Sequence, residues 1–241
     1  LVSPETKDWD YELIEMLGYP KQIFQKIKKP GTVLGNLTKE IQKEVGFDCE
    51  VVLPATHDTG SAVMAVPTNE DNTIYISSGT WSLMGTELKK ADCSPESRLH
   101  NFTNEGGYEY RFRYLKNIMG LWIIQECKRT WDKEGNVMSF AEIADGASKI
   151  EPCKFLINPD ADEFYSPHDM PDKIVNFCKK TGGNVPSNPF EIARCVYDSL
   201  ALAYKHNVLA LEKITGKKLT FIKADLLDKA ALVKIFTDYK F

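Results

Sequence analysis

His57, Asp58 and Thr59 stand together directly after an apolar run, Val51-Val52-Leu53. An imidazole, a carboxylate and a hydroxyl in sequence can hold a polyhydroxylated molecule and take a proton from it. The apolar run predicts a buried strand, and the small residues from Ser61 to Val66 predict the start of a helix packed behind it. In open α/β sheets that crevice is where ligands bind. The alternative role for Asp58 is a helix cap, which the three residues alone leave equally open.

Downstream, Thr73 to Ser77 alternates as a strand does, breaks at Gly79-Thr80, and resumes over Trp81 to Leu88. The pattern predicts a hairpin whose turn offers backbone N–H groups and a hydroxyl to a phosphate. Ser-Gly turns also occur in hairpins that bind nothing. A second turn is expected at Asn101 to Gly107, then a strand over Tyr108 to Leu115. A helix should follow, opened by Asn117 and running through Gly120-Leu121-Trp122 to Gln125. On such a helix Asn117 and Gln125 would share one face about 12 Å apart. On the residues alone, Asn117 reads as a helix cap and Gln125 as a hydrogen-bonded polar residue within an apolar helix.

Ala55-Thr56-His57-Asp58-Thr59, Ser77 to Gly85, Asn101 to Gly107 and Leu115 to Trp122 resemble, in order, blocks of the rhamnulokinase branch of the FGGY carbohydrate kinases. Gly31-Thr-Val-Leu-Gly35 is similar to a further family segment, and weaker similarity runs from about Asp8 to Lys223. The resemblance implies an α/β, actin-like and ribonuclease-H-like ATPase fold. It implies Asp58 as catalytic base, with His57, Asp58, Thr59 and Asn117 as sugar contacts and Thr80 and Gln125 as nucleotide contacts. The implied reaction transfers the γ-phosphate of ATP, with Mg²⁺, to the 1-hydroxyl of L-rhamnulose. Alternatives are a kinase for another ketose or polyol, and a catalytically silent sugar-binding relative. The implied domains are residues 1–67, ending a first domain, and residues 68–241, most of a second, with the cleft between them.

Two departures from the family pattern stand out. Its N-terminal Asp-x-Gly-Thr phosphate hairpin is absent from this sequence. The strand Leu219 to Lys223 and the helix from Ala224 abut where the family has a triple-glycine loop. Such connections ordinarily take about 2–6 residues. The expectation is an excerpt of a longer protein, with residues missing between 223 and 224, inactive by itself.

The remaining sequence reads as scaffold. Thirty basic and 34 acidic residues give a net charge of −4, with no long run of one sign. That balance argues against nucleic acid and against an anionic membrane surface as partners. No stretch of about 18 apolar residues occurs, and a cytoplasmic location is expected. Six dispersed cysteines, without a Cys-x-x-Cys pair, predict reduced thiols; Cys178 and Cys195 fall on successive predicted helices. Four histidines lack metal-ligand spacing, so no protein metal site is expected and any metal should arrive with the nucleotide. Two Asn-x-Thr sequons, at Asn36 and Asn101, are coincidental in a cytoplasmic chain. Ser139 to Glu142 predicts a capping box opening a helix to about Ile150, and Asn158 to Met170 an exposed loop. Helices are expected over Asp172 to Lys180, and from Asn188-Pro189 to about Gly216.

Overall fold

The structure, a computed structural model, describes residues 1–55, 57–65 and 73–218. The described residues divide into two compact units, one built from Leu1–Ile74 and Gly85–Leu115, the other from Tyr75–Met84 and residues 116–218. The expected junction at Lys223–Ala224 lies outside the described residues.

In the first unit, Asp10 accepts from the Leu13 N–H to cap α1 (Tyr11–Met16), which buries Ile14. Strand β1 (Val33–Asn36) pairs antiparallel with β2 (Glu50–Val52) around α2 (Lys39–Val45). The expectation of a buried strand at Val51-Val52-Leu53 is overturned: Val51 and Val52 are 37% and 49% exposed. Their apolar character reflects pairing in a two-stranded ribbon that the described residues leave uncovered, and β-branched side chains suit strands with or without burial. Helix α3 (Asp58–Met64) follows, beginning three residues before the expected Ser61.

The expected hairpin is present as β3 (Ile74–Ser78) and β4 (Trp81–Leu88). These strands lie in a four-stranded sheet of order β3-β4-β6-β5, in which β5 (Thr103–Gly106) and β6 (Phe112–Met119) are antiparallel. Between β4 and β5, Ser94 caps the short helix α4 (Pro95–Leu99). Two readings change here. The turn expected over Asn101 to Gly107 contains β5, and the strand expected from Tyr108 begins only at Phe112. Glu109 and Tyr110 turn the chain with φ of 53° and 60°, a left-handed conformation that an alternating aromatic sequence does not announce.

The core of the second unit lies among four helices. α5 (Trp122–Lys133) contributes Ile123, Ile124, Cys127 and Trp131, spaced for one helical face. α6 (Phe140–Ser148) opens with the expected capping box, Ser139 and Glu142 each accepting from the other's backbone N–H. α7 (Met170–Thr181) ends at Gly182, left-handed at φ 71°, as the paired glycines predict. α8 (Pro189–Thr215) is capped by Asn188 and ends at Gly216. The segment Asn158 to Met170 is largely exposed, as its Asp and Pro content predicts, with Phe164 and Met170 anchored in the core. The six cysteines are free thiols, Cys178 and Cys195 among them.

Candidate active site

In the first unit the chain leaves β2 and places His57 at the N-cap position of α3, extended at φ −137° and ψ 143°. His57 makes no side-chain cap, and Asp58 is the first helical residue, so the cap role considered for Asp58 is not the one it plays. Its Oδ1 accepts from the Thr59 N–H at 2.6 Å and the Thr59 hydroxyl at 3.3 Å. His57 Nε2 lies 3.3 Å from the same oxygen. The Thr59 N–H, followed by the charge of His57, holds the Asp58 carboxyl below the ordinary carboxylate range. The side chain is 93% exposed. Asp58 is therefore an ionised acceptor that a ligand can reach, beside one imidazole and one hydroxyl. Thr56 lies outside the described residues.

Beneath this turn sits Arg113 of β6, which sequence reading passed over. Its Nη2 lies 2.8 Å from Glu105 Oε2, the residue opposite it on β5. Gly60 is buried in α3, where a Cβ would come within 2.9 Å of the guanidinium and 3.0 Å of the Ala55 carbonyl oxygen. Glycine is required there by close approach.

In the second unit, the Thr80 hydroxyl donates to Gln125 Oε1 at 3.4 Å, so the hairpin turn and the first turn of α5 meet. Thr80 is exposed and Gln125 half-buried. The turn itself differs from expectation. The Gly79 N–H is committed to the Trp81 carbonyl at 2.9 Å, so it is not a free phosphate donor. The outward groups are carbonyls: Gly79 and Thr80 accept from the Leu121 and Trp122 N–H groups at 2.9 and 3.0 Å, satisfying the start of α5. Gly120 makes this contact possible, since a Cβ there would come within 2.7–2.8 Å of both carbonyl oxygens and of Ser82 Oγ. Ser82, fully buried, is bonded in turn to the Tyr204 hydroxyl of α8 at 2.6 Å.

Asn117 departs from its expected position. It is an exposed residue of β6, and α5 begins at Trp122 with Leu121 as its cap. Asn117 therefore opens no helix and shares no helical face with Gln125. The apolar residues that follow it mislead because Ile118 and Met119 are buried as strand residues, the Met119 N–H donating to Asp160 at 3.0 Å.

The comparisons with known proteins bear on this arrangement. Residues 74–225 match the FGGY family of carbohydrate kinases, C-terminal domain. The chain belongs to the FGGY carbohydrate kinase family. Over 214 residues it is 49% identical to a rhamnulokinase of Oceanobacillus iheyensis, an alignment covering 89% of this chain and 44% of that protein. A rhamnulokinase of Halalkalibacterium halodurans is 47% identical over 90% of the chain and 45% of its own length. One from Bacteroides thetaiotaomicron is 42% identical over 85% and 42%. The chain thus spans less than half the length of these relatives. Among solved structures, a ligand-bound xylulose kinase from Lactobacillus acidophilus superposes with a TM-score of 0.66 over 98% of the chain and 48% of its own, at 16% identity. A xylulose kinase from Rhodospirillum rubrum gives 0.61 over 90% and 43%, at 15% identity. At such identities the likeness concerns the fold, which is the expected α/β, actin-like ATPase fold. No helix among the described residues is long and apolar enough to cross a membrane.

Proposed function

We propose that the protein containing this chain is a sugar kinase that transfers the γ-phosphate of ATP to the 1-hydroxyl of L-rhamnulose, in the cytoplasm. The observation that carries the reading is Asp58: a reachable carboxylate, kept ionised by the Thr59 N–H and flanked by His57. As the sugar hydroxyl attacks phosphorus, Asp58 accepts its proton. A weakly basic carboxylate suffices, because phosphoryl transfer passes through a loose transition state in which catalysis is mainly positioning and charge stabilisation. His57, Thr59 and Asn117 hold the sugar in this reading. Thr80 and Gln125 hold the nucleotide; as uncharged partners already within hydrogen-bond reach of each other, they fit a polar, neutral part of it. Mg²⁺, arriving with ATP, offsets charge on the phosphates. The family match beginning at residue 74 supports assigning residues 1–67 to the end of one FGGY domain and residues from 68 to the next.

The choice of L-rhamnulose is supported by the 42–49% identity to proteins named for that activity. Polar groups left unpaired by the wrong sugar cost about 1–3 kcal/mol each. The full-length protein should accordingly prefer L-rhamnulose over L-fuculose, D-xylulose and glycerol by at least about tenfold in kcat/KM. A coupled ADP-release assay across the four compounds measures this. Preference for another of them would remove the rhamnulose assignment and leave the kinase; sugar binding without ADP release would favour the silent relative.

A further inference from the structure

Arg113 and Glu126 are the buried charged residues among those described. Glu126 pairs with Arg129 of its own helix at 2.7 Å. Arg113 is different in kind. Only 4% exposed, it meets one carboxylate among the described residues, that of Glu105, and among them its Nε and Nη1 are buried with no hydrogen-bond partner. A guanidinium stays charged at any physiological pH and carries five N–H groups, so leaving the three on Nε and Nη1 dry is costly. Filling space would not require it, since a methionine of similar length packs without desolvating a charge. The location supplies a reason. One point above Gly60 lies within 2.9 Å of the guanidinium and 3.0 Å of the Ala55 carbonyl, so the guanidinium stands under the residues that bracket His57-Asp58-Thr59 on both sides.

We infer that Arg113 is a positioning residue for Asp58: held by Glu105, its guanidinium is the floor that fixes the first turn of α3. The inference rests on the reading of Asp58 as proton acceptor. Arg113 touches no reacting atom and acts only through the placement of that turn. Lysine at 113 keeps the charge but replaces the planar fork with a compact ammonium. Gly60→Ala leaves every charge in place and drives a methyl group into the guanidinium from above.

The test is steady-state kinetics of the full-length protein carrying Arg113→Lys, Gly60→Ala and Asp58→Asn, singly and with each of the first two combined with the third. Arg113→Lys and Gly60→Ala are each expected to lower kcat by about tenfold or more, with KM for ATP within about threefold. On the Asp58→Asn background the same changes should lower kcat by no more than about threefold further, because the group they position is gone. A general structural defect would instead multiply the losses, and that result overturns the inference. So does a kcat within about threefold of wild type for folded Arg113→Lys. If that variant does not fold, Gly60→Ala decides by the same criteria. Wild-type turnover of Asp58→Asn would overturn the reading of Asp58 and this inference with it. Loss in Asp58→Asn beside unimpaired Arg113→Lys and Gly60→Ala removes the inference alone.

Discussion

Gly120→Ala is expected to damage nucleotide binding from a position that touches no nucleotide. The backbone at Gly120 is not left-handed, so the demand for glycine is spatial. A methyl group there would stand 2.7 Å from the Gly79 carbonyl oxygen, 2.8 Å from that of Thr80 and 2.8 Å from Ser82 Oγ. None of the three is the free end of a flexible side chain. Two are backbone, and the third is tied to Tyr204. Relief must come from moving the hairpin turn off α5, and overpacking of this kind costs about 1–3 kcal/mol. For a domain of this size unfolding as a unit, that lowers its own thermal midpoint by about 2–12 °C. The moving turn carries Thr80, whose bond to Gln125 is already long at 3.4 Å. Losing one such hydrogen bond's worth of nucleotide binding, about 0.5–1.5 kcal/mol, raises KM for ATP by about 2- to 12-fold. Differential scanning fluorimetry and initial rates against ATP on the full-length protein measure both. A midpoint within about 1 °C of wild type together with an unchanged KM for ATP would refute the claim that the turn is held by this close packing.

Removing the buried Ser82 partner by Tyr204→Phe should cost about 1–3 kcal/mol, read as a lower midpoint in urea denaturation, with an unchanged midpoint contradicting the contact. Ser139→Ala, which breaks a two-way cap, should cost about 1 kcal/mol in the same assay; no loss would mean that α6 is held by its core face alone. Cys127 and Cys195 have thiols pushed upward by burial, while Cys49, Cys93 and Cys153 are exposed. Brief iodoacetamide treatment of the native protein at about pH 8, mapped by mass spectrometry, should label the exposed three and spare those two until denaturant is added. The Asp58 carboxyl, lowered by the Thr59 N–H, stays ionised as pH falls from neutrality through the ordinary carboxylate value near about 4. The acid limb of kcat/KM that belongs to it should therefore lie below about pH 4, and an Asp58-dependent limb above about pH 6 would contradict that placement.

The helices were legible wherever sequence carries a local stop or start. Ser139 with Glu142, Asn188 with Pro189, Gly182 and Gly216 each act within a few residues, and each stands where its type predicts. The hairpin around Gly79-Thr80 was legible for the same reason. The segment from Tyr108 to Met119 was not, because what shapes it is tertiary. Its first residues turn left-handed without a glycine, and Phe112, Arg113, Tyr114 and Leu115 are all buried, so the strand's burial does not follow the alternation of its sequence. Asn117 was misplaced by that mismatch. Arg113 was invisible because a Tyr-Arg-Phe-Arg-Tyr run reads as an amphipathic strand with solvated arginines, whereas Glu105 and Glu87 receive the two side chains. Gly60 and Gly120 carry a usable signal, small residues where two elements approach, but nothing in sequence names the partner each accommodates. The local geometry of Asp58 follows from its place at the first turn of α3. Its chemical role rests on the reaction proposed for it.

That role is tested most directly by the kcat of Asp58→Asn in the full-length protein, with L-rhamnulose and ATP at saturation. The substitution keeps size and the acceptor oxygen for the Thr59 N–H while removing the ability to take a proton. A fall in kcat of about 10²–10⁴-fold, with KM for ATP and the thermal midpoint nearly unchanged, is the predicted result. A kcat within about threefold of wild type would contradict the account, because the sugar's proton would then be leaving by another route.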